Sequence, residues 1–141
     1  MYSDLPTPLR LANRGVYALG WAATWASGLF AGLFPPTTIV QVQEPWFTTM
    51  WVVLITVSCV PGFVGVLFGW NAVEGVAAWF ATAGVAAYMT SVWVLVGATP
   101  TRATQAWSLT ALTFFVFGRA MAYAAYRYRL DRAKRIAESF E

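Results

Sequence analysis

The sequence predicts an all-α integral membrane protein, a bundle of four transmembrane helices with a basic helical tail at its C-terminal end. Composition is the first reason. Of 141 residues, 59% are hydrophobic and only 11% charged, against roughly 25% charged in a soluble domain, and the mean hydropathy is +0.58. So little polar surface cannot cover a water-soluble globule. The second reason is four long apolar runs, each near the ~20 residues that a helix needs to cross a bilayer. Barrel strands would instead alternate over about 10 residues. The third is the placement of basic residues, which gather near the chain ends. Four spans nearly fill the chain, so residues 1–141 read as a single membrane domain. A cytosolic domain, a disordered tail and a nucleic-acid module are excluded.

The first span covers residues 16–34, and Arg14 to Glu44 encloses no charged residue. Thr7 followed by Pro8 reads as an N-cap with proline at the first helical position, so the helix begins near Pro8. Pro35-Pro36 ends it, because proline cannot continue the hydrogen-bond ladder. The stretch after Arg10 and Arg14 is too long for a signal-peptide core and lacks a convincing cleavage site. Residues 37–45 are polar and form the longest loop. The second span covers residues 47–68, with Pro61 inside it, where a missing backbone donor should kink the helix. Gly69-Trp70-Asn71 reads as a tight turn. The third span covers residues 73–96, and Gly97 to Thr101 breaks it. The fourth covers residues 106–126, and the tail 127–141 follows.

An even number of spans puts both termini on one side. That side collects Arg10, Arg14, Arg127, Arg129, Arg132, Lys134 and Arg135, and the other collects only Arg102. The positive-inside rule then places both termini in the cytoplasm. Trp46, Trp51 and Trp107 fall near the outer interface and Trp70 near the inner one, as an aromatic belt requires.

The inventory of chemistry is short. There is no histidine and one cysteine, so imidazole catalysis, histidine metal sites, an intramolecular disulfide and a CxxC pair are all excluded. Cys59, inside an apolar run, reads as a small buried apolar residue. No phosphate loop, metal-ligand cluster or nucleophile–base set stands out. The expectation is a protein that is not an enzyme and takes no cofactor or metal.

Arg119 is the most informative residue. It lies seven residues before Tyr126, about 10 Å below the interface at the rise of an α-helix. A charge there costs about 2.5–3.5 kcal/mol on insertion scales. Glu74, near the inner end of the third span, is the acidic residue placed to pair with it. The pair reads as a structural clip, with snorkelling of Arg119 to the headgroups as a variant. The sharper reading is a polar patch facing a channel or an assembly interface. Small residues form ladders. Gly20, Thr24, Gly28 and Gly32 recur every four residues in the first span, Gly65 and Gly69 form a GxxxG in the second, and Ala83, Ala87 and Ser91 line the third. Such faces let helices approach closely, either within one bundle or between subunits of a homo-oligomer. In the tail, Ala133, Ile136, Ala137 and Phe140 share a helical face, and Asp131–Arg135 and Lys134–Glu138 have i,i+4 spacing. That tail reads as a solvated topology signal, a helix lying on anionic lipid, or a contact for another chain.

The layout resembles the four-span, holin-like membrane proteins of phages that infect actinobacteria. Carrying the resemblance are Pro35-Pro36-Thr37-Thr38, Trp46 and Trp51 opening the second span, and Phe68-Gly69-Trp70 leading into Glu74. Gly84 and Tyr88, the Arg119 helix and the basic tail complete it, so it extends over most of the chain. The resemblance implies a protein that accumulates in the host inner membrane, oligomerises and permeabilises it for lysis. Three other functions are compatible with the same residues: an accessory subunit of a membrane complex, a regulator of the antiholin or exclusion type, and a small channel or transporter.

Overall fold

A computed structural model describes residues 6–35, 43–97 and 99–139. Four long helices make up the chain: α1 (Thr7–Leu33), α2 (Pro45–Phe68), α3 (Asn71–Val96) and α4 (Ala103–Glu138), with one 3-10 turn, Pro100–Arg102, before α4. Among the described residues there is no strand. Each helix is long and apolar enough to cross a membrane, so the all-α four-span architecture stands.

Prolines and one glycine set the helix boundaries. The cap of α1 is Pro6, not Thr7, and no side chain caps it. The helix runs back through Arg14 and Arg10, nine residues before the apolar span starts. At the other end, Phe34 leaves the helix at φ −129°, ψ 64°, because the following Pro35 crowds the α conformation of its predecessor. The same effect holds Glu44 extended ahead of Pro45. Pro36 and the loop threonines Thr37 and Thr38 lie outside the described residues. α2 stays helical across Pro61 and ends at Gly69, whose φ of 73° is left-handed and suits glycine. The Trp70 amide there donates to Gly65 O at 2.8 Å, the Schellman closure. Glu74 therefore sits in the first turn of α3, where its charge faces a positive helix terminus.

Short connections make chain neighbours spatial neighbours. α2 packs on α1 and on α3, and α3 on α4, while side chains of α1 and α4 close the ring at Tyr17, Gly20 and Phe115. The core runs through the bundle from Trp21 and Trp51 to Val85, Val92 and Val116, all fully buried.

The first-span ladder is consumed inside this bundle. A Cβ at Gly28 would stand 2.6 Å from Ile55 Cγ2, and one at Gly32 would stand 2.7 Å from Val52 Cγ1. Gly20 lies under the Phe115 ring. Thr24 is buried and donates back to Gly20 O at 2.8 Å. Gly65 lets α2 touch the backbone of α3 at Glu74, with 2.8 Å from its would-be Cβ to the amide. Gly69 serves the turn.

Two expectations are corrected. The third-span ladder Ala83–Ala87–Ser91 is covered only in part: Ala83 is exposed, Ala87 packs half-buried against the core and Ser91 is half-buried, while the small residues Ala77, Ala81 and Gly84 are buried. Small residues at spacing four occur on both sides of this helix, and only the side shared by α2 and α4 is covered. Trp51 does not belong to the lipid-facing belt. It is 0% exposed, whereas Trp46, Trp70 and Trp107 are each more than half exposed, as belt residues are.

Candidate functional site

The polar chemistry inside the bundle sits near its two ends. At one end, the first turn of α3 lies beside the middle of α4, so Glu74 and Arg119 meet although 45 residues separate them. Arg119 Nε donates to Glu74 Oε1 at 2.7 Å, and its Nη2 bonds the same oxygen. Both residues are buried, with 5% and 7% of their surface exposed. Guanidinium carbon Cζ lies 3.7 Å from the centre of the Tyr17 ring, a cation–π contact of a desolvated cation. Tyr17 in turn stacks near Phe115 at 6.2 Å. Gly65 and Gly75 provide the room: the former admits the Glu74 backbone and the latter lies beneath the Tyr123 ring.

This arrangement ties three helices together. α3 supplies the carboxylate, α4 the guanidinium and α1 the aromatic face. The guanidinium is turned into the bundle rather than to the headgroups, so the snorkelling variant is set aside. A carboxylate engaged twice by arginine inside apolar packing is a clip.

At the opposite end a second network links α2, α3 and α4 with the 3-10 turn. Trp51 stacks on Tyr88 with ring centres 4.2 Å apart and planes 10° from parallel. The Trp51 indole donates to Gln43 Oε1 at 3.3 Å. Gln105 Nε2 donates to Tyr88 Oη at 2.8 Å, and Arg102 Nη1 donates to Gln105 Oε1 at 3.2 Å. A buried aromatic pair is thus capped on both sides by amides, and Arg102 is anchored at the rim. Tyr88→Phe removes the acceptor of the Gln105 amide, so a loss of about 1–2 kcal/mol is expected. Thermal unfolding in detergent measures it, and an unchanged midpoint would show that the network carries no stability.

Sequence reasoning reached Glu74 and Arg119 and missed Tyr17, Gln105 and the buried role of Trp51. Tyr17 had a readable signal, one turn ahead of Gly20 on the small-residue face. Gln105 had a weaker one, an amide three residues beyond Arg102 at the start of an apolar span.

A groove of about 660 Å³ lies between α2 and α3 and is lined by Val53, Val57, Pro61, Val76 and Phe80, among others. Its walls are apolar and carry no convergent polar groups. Among the described residues, no three His, Cys, Asp or Glu side chains gather as a metal site would require. Cys59 is buried. No protein-family model, curated protein or solved structure matches this chain.

Proposed function

We propose that this protein is a non-catalytic resident of the bacterial inner membrane, with both termini cytoplasmic, that permeabilises the membrane in the manner of a holin. The observation behind this reading is the inward-facing clip. The two charged residues within the spans, Glu74 and Arg119, are buried against each other, while Leu19, Phe30, Val57, Phe80 and Phe114 face outward. A bundle of this kind accumulates in lipid without exposing charge. The resemblance of the layout to four-span holin-like proteins supplies the activity. Association of copies then has to use lipid-facing sides, because Gly20, Gly28 and Gly32 are occupied by the chain's own α2 and α4.

Induced expression in bacteria carrying a membrane-potential dye tests the proposal. The expected result is a delay followed by abrupt loss of potential and of viability. Strong expression in the membrane with full potential would overturn it. The orientation is tested in the same cells by labelling a cysteine at Glu44 in a Cys59→Ala background. Label is expected to reach it from outside, and access from the cytoplasm alone would reverse the topology.

A second reading has its own observation. Residues 127–139 of α4 are exposed along their whole length, which suits an accessory subunit or a regulator that contacts another chain. Full potential on strong expression would favour it.

A further inference from the structure

α4 is longer than a membrane is thick. Its 36 residues span about 54 Å, against about 30 Å of hydrocarbon. No proline or glycine interrupts it after Gly118, so its last turns continue straight on from the bundle. Every residue from 127 to 139 is exposed.

This segment carries a seam. Tyr126, Leu130, Ala133 and Ala137 are spaced four, three and four apart, the 3.5-residue repeat of a helix that pairs with another helix. At 100° per residue, Lys134 borders the seam on one side and Arg129 on the other; Arg127 and Glu138 come next beyond Lys134, Ile136 next beyond Arg129, and Asp131 lies farther round. The expected i,i+4 pairs Asp131–Arg135 and Lys134–Glu138 are not closed, since the Glu74–Arg119 bridge is the salt bridge found among the described residues. Fully solvated pairs gain too little to hold two long side chains in one geometry. The two charges nearest the seam, Arg129 and Lys134, are both positive and both free of an acidic partner among the described residues of this helix.

That pattern selects an occupant. A second copy, packed parallel or antiparallel along the seam, would set Arg129 and Lys134 against arginine or lysine of its twin, a repulsive juxtaposition. A bilayer surface would require the helix to bend flat, and no kink-forming residue is present to allow it. We propose that the exposed end of α4 docks an amphipathic helix of another protein on the same side of the membrane, with acidic residues flanking the partner's apolar stripe. The proposal depends on the helix standing off the bundle and not on the lesion-forming activity.

The test uses the full chain in nanodiscs of zwitterionic lipid. Two fluorescent helical peptides serve as probes, both with leucine at the a and d positions, one with glutamate and one with lysine at e and g. Anisotropy is expected to show saturable binding of the glutamate peptide alone. The Leu130→Ser, Ala133→Ser, Ala137→Ser variant keeps every charge and is expected to weaken that binding about tenfold or more. Arg129→Glu with Lys134→Glu, which preserves helix formers, is expected to switch preference to the lysine peptide. Equal binding by the serine variant would reduce the contact to bulk charge and overturn the proposal. So would failure of both peptides, disulfide dimers through Ala133→Cys in a Cys59→Ala background, or burial of the segment when anionic lipid replaces zwitterionic.

Discussion

Arg119→Leu is expected to cost the bundle about 3–5 kcal/mol, whereas the double variant with Glu74→Leu recovers most of that loss. The asymmetry follows from burial. Removing the guanidinium leaves a carboxylate inside apolar packing with its partner gone, and an uncompensated buried charge is far more costly than a missing attraction. Removing both residues leaves two leucines of similar reach between α3 and α4, which is near neutral for a buried pair. For a chain of this size the single variant should lower the unfolding midpoint in detergent by on the order of 10 °C. Tyr17→Leu, which removes the ring over the guanidinium, is expected to lose less, about 1–2 kcal/mol. A snorkelling arginine would give another pattern, with Arg119→Leu nearly silent and no coupling to Glu74 in the double-mutant cycle. Fluorescence-monitored thermal unfolding of the natural chain, Arg119→Leu, Glu74→Leu and the double variant decides between them.

The clip was legible in the sequence because charge is rare there. With so few ionised residues in the spans, each needs a compensating feature, and the hairpin between α3 and α4 leaves few ways to provide one. The span limits were legible for a similar reason: Pro35, Pro45, Gly69 and Pro100 leave the helix few places to end. Facing was harder. Hydropathy does not distinguish a tryptophan turned to lipid from one turned inward, since both environments are apolar, and so Trp51 read like Trp46. The alanines of α3 posed the same problem. Ala83 and Ala81 are equally small, and only the positions of α2 and α4 decide which of them is covered. In water a polar face would have marked the outside of the helix. In a bilayer that cue is absent, and close approach has to be read from the partner's bulk.

Gly28→Leu is expected to lower membrane yield and thermal stability and to leave the oligomeric state of the surviving protein unchanged. The reason is the neighbour. Even a methyl at Gly28 would stand 2.6 Å from Ile55 Cγ2 and 3.2 Å from Thr56 Oγ1, so a leucine forces α1 and α2 apart. Overpacking of this kind costs about 1–3 kcal/mol, with the upper end expected where two helix backbones approach closely. The adjacent wedge, Trp21 against Gly62 with 2.7 Å from the would-be Cβ to the indole, would loosen along with it. Because the clash is with the side chain of Ile55, Ile55→Ala should restore part of the loss in the Gly28→Leu background while destabilising the natural chain. A subunit interface at Gly28 would behave otherwise: oligomers would disappear from crosslinking and size-exclusion profiles, the monomer would keep its unfolding midpoint, and Ile55→Ala would rescue nothing.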